Sequence, residues 1–325
     1  MKYSKSKAKH KMNALGLAQV PFLFAIDFEM NEIEIVEEDE FKNSNINFHI
    51  EGFREYPVQP TSVKKPVQSF IPFDYKAYEH GFNIVQNNIQ HGNSYLLNLT
   101  YRSQIELNCK LEEIFNASSA KYRIFWKDRF VVFSPETFIK ISEDKIYSYP
   151  MKGTIDVSEE NALDKLLSDE KEIAEHYTIV DLIRNDLGRI SSNVRVNKFR
   201  YVDKIRTNNK ELYQTSSEIS GELSKNWRAD LGNMFFELLP AGSISGAPKQ
   251  KTVEIIQEAE SGPRGFYTGV FGYYDGKALD SGVMIRFIEK ENDTFYYRSG
   301  GGITSKSDLE SEYKELIQKI YVPII

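Results

Sequence analysis

Residues 269–302 read GVFGYYDGKALDSGVMIRFIEKENDTFYYRSGGG, and this stretch decides the fold class. Three runs in it, GVFGYY, GVMIRFIE and TFYYRSG, are rich in the β-branched and aromatic side chains that favour extended strands. Short stretches of polar residues and glycine separate the runs, so that consecutive strands can pair as hairpins. The stretch therefore predicts antiparallel β-sheet.

The rest of the chain repeats this pattern and adds helices. Strand-like runs occur at SYLLNLTYRSQIEL, YRIFWKD, RFVVFSP, TFIKIS, KIYSYP and NVRVNKFRYV. Helical patterns fall between the runs, at roughly 74–91, 161–186, 229–238, 248–259 and 308–320. Hairpins in series with helices grouped between them indicate an α+β fold built on antiparallel sheets.

The chain shows no internal repeat or long linker, and only the stretch from Pro57 to Pro72 looks loosely structured. A single domain is expected over residues 13–325. The basic residues 1–12 predict a flexible tail. PFLFAIDF and EIEIV then predict two strands around a turn at residues 30–32, and not a secretory signal, because Gln19 and Pro21 interrupt the apolar run.

Composition excludes several classes of protein. The 325 residues carry a formal net charge of -6, which argues against a nucleic-acid partner. No segment approaches the ~18 consecutive apolar residues of a membrane span. The single cysteine, Cys109, cannot form an internal disulfide, and a reducing cytoplasm is the expected location.

Two pairs of glutamates stand out at helical spacing. Glu172 and Glu175 are three residues apart in one helical stretch, and Glu312 and Glu315 repeat the arrangement near the C-terminus. Each pair taken alone also fits a solvated helix face. Brought together, the two pairs would offer the hard oxygen ligands that Mg²⁺ prefers.

Lys152 lies in the run YPMKGT, directly before a Gly-Thr step whose backbone N–H groups could hold an anion. A desolvated lysine becomes a nucleophile, whereas a surface lysine is a solubilising charge, and the run alone permits both. Gly300 to Gly302 could offer close backbone approach and N–H donors to an anionic group, although three glycines also describe an ordinary tight turn. The run GSISGAPK, residues 242–249, predicts a helix entry and lacks the Ser or Thr of a nucleotide-binding phosphate loop.

Taken together, these runs resemble the chorismate-utilising enzymes, which include anthranilate, aminodeoxychorismate, isochorismate and salicylate synthases. The resemblance is strongest over residues 94–325. It runs in the family's order through FSPETFIKI, YPMKGTI, KEIAEHYTIVDLIRNDLGRI, PAGSISGAPKQKTVEII, PRGFYTGVFGYYDG and GGGITSKSDLESEYKELIQK. It implies a single chorismate-binding domain with two large antiparallel β-sheets packed face to face and helices outside.

The resemblance also assigns roles. It implies that Glu175 and Glu315 bind Mg²⁺, supported by Glu172 and Glu312, and that the ion holds the ring carboxylate of chorismate. It implies a pocket that contacts both substrate carboxylates. Its implied residues are Gly153, Thr154, Ser243, Tyr267, Arg286 and Gly302.

Lys152 separates members of the family. Anthranilate synthases carry alanine in the run P-I-A-G-T, whereas aminodeoxychorismate synthases carry P-I-K-G-T, and this chain has P-M-K-G-T. The resemblance implies that the Lys152 amine attacks C2 of chorismate as the C4 hydroxyl leaves, and that ammonia then displaces the lysine at C4. Glu136 matches the family's proposed general acid, provided that burial raises its pKa.

Ammonia requires a source, and nothing in the chain resembles a glutaminase. A separate glutamine amidotransferase subunit is therefore expected as partner in a heterodimer. Gln214 stands where many members carry histidine, so we expect a different hydrogen-bonding contact near the leaving hydroxyl. The N-terminal region is shorter than in the long members, so we expect no tryptophan feedback inhibition. Two alternatives stay open: an anthranilate or isochorismate synthase, and a non-catalytic chorismate-binding subunit.

Overall fold

The computed structural model describes residues 2–57, 63, 65–206, 211–260 and 262–324. In these residues, two antiparallel β-sheets form the centre of the molecule and helices pack against them. The predicted α+β class with two antiparallel sheets is confirmed.

The first sheet contains ten strands of the described residues. The run FLFAI at its centre is buried throughout, because helices cover one face of the sheet and the second sheet covers the other. In order across the sheet the strands are β1 (Lys2–Tyr3), β3 (Ile33–Glu37), β2 (Phe22–Ile26), β15 (Val270–Tyr274), β16 (Leu279–Val283), β9 (Thr137–Ser142), β10 (Lys145–Ser148), β13 (Glu211–Glu222) and β11 (Met151–Asp156), with β12 (Ser192–Arg206) also paired to β13.

The second sheet contains eight strands of the described residues. Its long central pair places the glycine run of residues 300–302 opposite residues 98–100. In order the strands are β14 (Gly246–Ala247), β6 (Leu96–Leu107), β18 (Thr294–Ile303), β17 (Phe287–Glu291), β8 (Phe130–Ser134), β7 (Tyr122–Trp126) and β4 (Ile46–Ile50), with β5 (Val67–Ile71) also paired to β6.

The two sheets share a core. Leu23 and Phe271 of the first sheet pack in one buried cluster with Ile124, Val132 and Phe287 of the second. The helices of the described residues are α1 (Lys5–Ala18), α2 (Tyr75–Gln90), α3 (Leu111–Ala117), α4 (Ala162–Ser168), α5 (Glu170–Gly188), α6 (Leu231–Glu237), α7 (Gly242–Ser245), α8 (Lys249–Ala259) and α9 (Leu309–Gln318), with 3-10 turns at Glu38–Asn43 and Trp227–Asp230. None of them combines the length and apolarity needed to cross a bilayer.

The expectation of a flexible basic tail over residues 1–12 is wrong. The segment forms β1 and most of α1, because Ala8, Met12 and Leu15 recur at helical spacing and are buried against the core. The lysines of α1 lie on its other faces, so the positive charge that suggested a tail is the solvated side of a packed helix.

The structure confirms one other local prediction and corrects a second. The hairpin around residues 30–32 is confirmed as β2 and β3. The helix predicted over 161–186 is two helices, because Asp169 ends α4 and its side chain caps α5 by accepting a hydrogen bond from the backbone of Glu172. The loosely structured stretch from Pro57 to Pro72 lies partly outside the described residues, and its later part holds β5.

Candidate active site

A bulge in β11 shapes one wall of the candidate site. The pairing of β11 with β13 slips between Lys152 and Thr154, and the intervening Gly153 has a φ of +79°. This left-handed conformation suits glycine. A Cβ at position 153 would also lie only 3.2 Å from Glu172 Oε2, so glycine lets the strand approach the first turn of α5.

Lys152 reaches across from this strand to α5. Its Nζ lies 2.7 Å from Glu175 Oε2, and Glu175 is buried while Lys152 is half-buried. The main-chain oxygen of Lys152 accepts a hydrogen bond from Thr215 Oγ1. The lysine is therefore fixed inside the fold at both its backbone and its amine, and it is not a surface charge.

The glycine run forms the opposite wall. Gly300 to Gly302 lie in extended strand β18 and do not form the tight turn that three glycines also permit. A Cβ built on Gly302 would lie 3.3 Å from Lys152 Nζ, and one on Gly301 would lie 3.3 Å from Glu312 Oε2 and 3.6 Å from Glu315 Oε1. The missing side chains thus leave space for Lys152 beside Gly302 and for the second glutamate pair beside Gly301.

Lys319 belongs to this wall and was not predicted. Its Nζ lies 2.6 Å from Glu315 Oε1 and donates to the Gly300 carbonyl at 2.7 Å. Burial lowers the pKa of Lys319, opposed by Glu315, and the positive charges of Arg286 and Lys152 lower it further. The i,i+4 spacing from Glu315 could have indicated it, but such pairs are common on exposed helices.

Glu136 faces the cleft from the segment before β9. Ser243, the second residue of α7, donates its hydroxyl hydrogen bond to Glu136 Oε1. Burial raises the pKa of Glu136, while this hydrogen bond and the charges of Lys152 and Arg286 oppose the rise. A carboxyl can act as a general acid only if its pKa is raised, and burial shifts the pKa of Glu136 in that direction.

Tyr267 and Arg286 are close enough for the charge of the guanidinium to affect the pKa of the phenol. Arg286 enters β17 with a φ of +55°, and its guanidinium lies 5.1 Å from the centroid of the Tyr321 ring. Tyr267 packs edge-on against Phe287, and burial raises its pKa to about 12. The positive charge of Arg286 lowers the pKa of Tyr267, of Glu136 and of Lys319, so the guanidinium is within electrostatic range of all three groups.

Thr154 and Gln214 lie further out. They are paired across β11 and β13, with Thr154 exposed and Gln214 half-buried. A cavity of about 480 Å³ beside them is lined by Thr154, Asp169 and Glu172 among others. Its volume is in the range of small-molecule sites.

His176 is a second buried residue that sequence reasoning missed. Its Nε2 lies 2.6 Å from Ser217 Oγ, which joins α5 to β13 next to Glu175. Burial, assisted by the charges of Arg200 and Lys152, lowers the pKa of His176 to about 4, so the ring is neutral near pH 7. It contributes a fixed contact that positions the helix carrying Glu172 and Glu175.

The two glutamate pairs lie beside two glycine-bearing strands, Glu172 next to Gly153 and the pair Glu312 and Glu315 next to Gly301. In the described part of the chain, no three His, Cys, Asp or Glu side chains converge as metal ligands do. Lys152 and Lys319 instead supply positive charge to Glu175 and Glu315. Carboxylate oxygens are nevertheless the donor type that a hard divalent cation takes while keeping some of its waters.

The chain is similar in sequence to proteins of Pasteurella multocida and Bacillus subtilis. An uncharacterized PabA-like protein of Pasteurella multocida is 50% identical over 313 residues, which is 96% of this chain and 97% of that protein. Aminodeoxychorismate synthase component 1 of Bacillus subtilis is 29% identical over 265 residues, covering 77% of this chain and 55% of that protein.

Solved structures share the fold. Anthranilate synthase component I from Streptococcus pneumoniae superposes with a TM-score of 0.66 at 28% identity, over 80% of this chain and 61% of that one. MenF, the menaquinone-specific isochorismate synthase of Escherichia coli, gives 0.73 at 14% identity, over 98% and 82%, a likeness of fold alone. Residues 3–324 match the family described as chorismate binding enzyme. The cleft between the two sheets is therefore the candidate active site of a chain that belongs to the chorismate binding enzymes.

Proposed function

We propose that this protein is the synthase component of aminodeoxychorismate synthase and aminates chorismate at C4. The observation that carries the proposal is the position of the Lys152 amine, held inside the cleft between Glu175 and the Gly302 backbone. The name of the Bacillus subtilis relative supports the same assignment. A lysine at this position would have no use in the anthranilate reaction as the family pattern implies it.

Chorismate would lie between the two walls with its carboxylates on opposite sides. Arg286 and Tyr267 bind the enolpyruvyl carboxylate together with the amide of Gly302, since a guanidinium offers two parallel donors. On the other side, Gly153 and Thr154 offer backbone N–H groups to the ring carboxylate. Ser243 and Gln214 complete the polar lining.

Lys152 forms the covalent bond in this mechanism. Its ammonium leaves Glu175, releases one proton to solvent and attacks C2 as the neutral amine, while the C4 hydroxyl departs as water with a proton from Glu136. Ammonia then adds at C4 and expels the lysine as a free amine. Solvent returns the released proton to the lysine after the amine has been expelled. One chorismate and one ammonia give one aminodeoxychorismate and one water, and Glu136 recovers its proton from the added ammonia.

Glu175 and Glu315 would hold Mg²⁺, with Glu172 and Glu312 supporting it. When bound, the ion would supply a Lewis acid for the ring carboxylate and the departing hydroxyl. Lys152 and Lys319 occupy the neighbouring space, so both ammonium groups must turn away from their carboxylates as the cation enters.

Ammonia would come from a glutamine amidotransferase partner. Glutaminases of this kind use a thiolate, but burial, assisted by the charge of Glu113, raises the pKa of the Cys109 thiol to about 11. Cys109 is therefore unsuited to that role. A heterodimer in the cytoplasm, delivering ammonia to C4 of the Lys152-bound substrate for the synthesis of 4-aminobenzoate and folate, completes the proposal.

The test is to incubate the purified chain with chorismate, Mg²⁺ and ammonium at mildly alkaline pH and to identify products by mass. We expect aminodeoxychorismate from the wild type, at least ~10³-fold less from Lys152→Met, and no product in excess EDTA. Lys140→Met is the matched control, because Lys140 is also half-buried and ion-paired, to Asp280 at 2.6 Å, but lies outside the cleft.

Other products would redirect the assignment. Anthranilate or isochorismate would keep the family and reject the amination at C4. Binding of chorismate without turnover, even with an added amidotransferase, would favour the non-catalytic subunit.

A further inference from the structure

Arg264 is a fully buried arginine that the proposed mechanism does not use. It lies between the end of α8 and Tyr267, with 1% of its surface exposed. All five N–H groups of a guanidinium can donate hydrogen bonds, and all five find acceptors here. The acceptors are Glu260 Oε2 at 2.9 Å from Nε, Ile244 O at 3.0 Å and Thr268 Oγ1 at 3.4 Å from one terminal nitrogen, and Asn98 O at 2.5 Å and Glu260 Oε1 at 2.6 Å from the other.

Glu260 makes the burial of this charge possible. It meets Arg264 with both oxygens, and its Oε1 also accepts from the backbone N–H and the hydroxyl of Thr100 at 2.8 and 3.0 Å. Glu29 fixes the backbone of Arg264 and of Gly265 through hydrogen bonds of 2.8 and 3.0 Å. A buried pair with every donor and acceptor used is rigid, because any displacement leaves a charge unpaired.

The three remaining acceptors of Arg264 sit next to site residues. Ile244 directly follows Ser243 in α7. Asn98 is the cross-strand partner of Gly302. Thr268 follows Tyr267, and its φ of +59° is strained for a β-branched residue. Its hydroxyl donates to the Tyr267 carbonyl at 2.6 Å and accepts from Arg264, which stabilises that conformation.

We propose that Arg264, paired with Glu260, is a positioning residue that sets Ser243, Tyr267 and Gly302 at fixed distances from one another through Ile244, Thr268 and Asn98. It touches no substrate. The link to substrate rests on the function proposed above, since these three residues belong to the chorismate pocket only if that function holds.

Lysine cannot replace this arginine. Its three donors radiate from one nitrogen, whereas the five acceptor contacts of Arg264 are spread around a plane. Arg264→Lys should therefore release some of the three segments while keeping the charge. Arg123→Lys is the matched control, because Arg123 is also buried and donates to backbone carbonyls, those of Phe115 and Ser118, at 3.3 and 2.6 Å, far from the cleft.

Hydrogen exchange followed by mass spectrometry on the full chain tests the positioning directly. Arg264→Lys should increase amide exchange at least ~10-fold in peptides covering residues 96–100, 241–247 and 266–269. Arg123→Lys should increase it only near residues 115–118. Unchanged protection in the three segments of Arg264→Lys, or equal loss in both variants, would overturn the proposal.

Calorimetric titration with chorismate then tests the consequence for binding. Arg264→Lys should raise the dissociation constant by about 10-fold or more, because small misplacements of binding groups are costly. Arg123→Lys should leave it within about 2-fold of the wild-type value. Exchange that rises in the three segments while affinity is unchanged would overturn the link to the pocket. If the wild type binds no chorismate but the two variants show the expected exchange pattern, the proposed function is rejected. Arg264 would then still be the residue that positions the three segments.

A milder pair of variants covers the case in which Arg264→Lys does not fold. Thr268→Val removes the hydroxyl but keeps the shape, and Thr268→Ser keeps the hydroxyl. We expect faster exchange at residues 266–269 and weaker chorismate binding in Thr268→Val, with Thr268→Ser close to the wild type. Equal behaviour of the two variants would contradict the proposal.

Discussion

Glu136 joins catalysis to stability, because burial holds the pKa of its carboxyl above the usual 4.5. A raised pKa in the folded state means that the stability contributed by the protonated form is complete below pH 4.5 and is lost as pH rises through the folded-state value. Glu136→Gln stays neutral throughout. We therefore expect the variant to be the more stable protein near pH 7, with the difference shrinking towards pH 4.

Urea unfolding at several pH values measures this difference, with Glu112→Gln on the exposed face of α3 as control. Activity should move the other way, falling by about 10²–10⁴-fold when the general acid is removed. A stability difference independent of pH would show that Glu136 is ionised in the free protein and contradict its role as acid.

Gly302 gives a second prediction about a single side chain. In Gly302→Ala the new methyl would meet Lys152 Nζ at 3.3 Å and Leu96 Cδ1 at 3.2 Å, and the flexible lysine would yield. We expect near-normal thermal stability and a kcat at least ~10-fold lower, because the nucleophile moves. Gly188→Ala, at the exposed end of α5 with open space around it, should leave kcat unchanged. Equal kcat in the two variants would argue against crowding at Lys152.

Individual residues of the site were predictable only as far as the family pattern extends. Lys152, Glu136 and the glutamate pairs lie in runs of characteristic order, and the structure pairs Lys152 with Glu175 at 2.7 Å. Lys319 and His176 have no such mark in sequence. His176 is buried and Lys319 is half-buried because α5 and α9 pack against distant strands, which no local pattern encodes.

Helix α1 supplies the side chain that caps the N-terminus of α6. Asn13 Oδ1 accepts hydrogen bonds from the backbone N–H groups of Gly232 and Asn233 at 2.7 and 3.4 Å. These lie in the first turn of α6, where no side chain at its own N-cap does so. Asn13 therefore caps a helix more than two hundred residues away.

Asn13→Ala should lower the free energy of unfolding by about 1 kcal/mol, the usual value of an N-cap. Asn13→Asp keeps the acceptor oxygen and adds a negative charge favoured at a helix N-terminus, so it should equal or exceed the wild type. Chemical denaturation distinguishes the two. Two variants of equal stability would mean that water replaces the cap without loss.

Helices were predictable where an apolar stripe is broad. The stripe of α2 includes Tyr78, Phe82, Val85 and Ile89, and its predicted limits agree with Tyr75–Gln90. In α1 the buried residues are few and stand among lysines, so charge hid the helix. Asp169, between α4 and α5, is compatible in sequence with the interior of one long helix. Only its capping hydrogen bond from the backbone of Glu172 marks the break between the two helices.

The order of strands in the two sheets could not be read from sequence. Hairpins such as β2 with β3 and β17 with β18 join neighbours in the chain and follow from local pattern. The contact of β2 with β15, from Phe22 opposite Tyr274 to Ile26 opposite Val270, joins the two ends of the chain. Many pairings would bury the same apolar faces, so periodicity alone cannot choose among them.

This long-range pairing also governs how the protein is made. The apolar strand FLFAI leaves the ribosome well before its neighbour β15 is synthesised. Synthesis of the ~240 residues between them takes roughly 12–50 s at about 5–20 residues per second. For that time an unpaired, fully apolar strand edge is open to other nascent chains, so the growing polypeptide depends on chaperone cover until its last strands arrive.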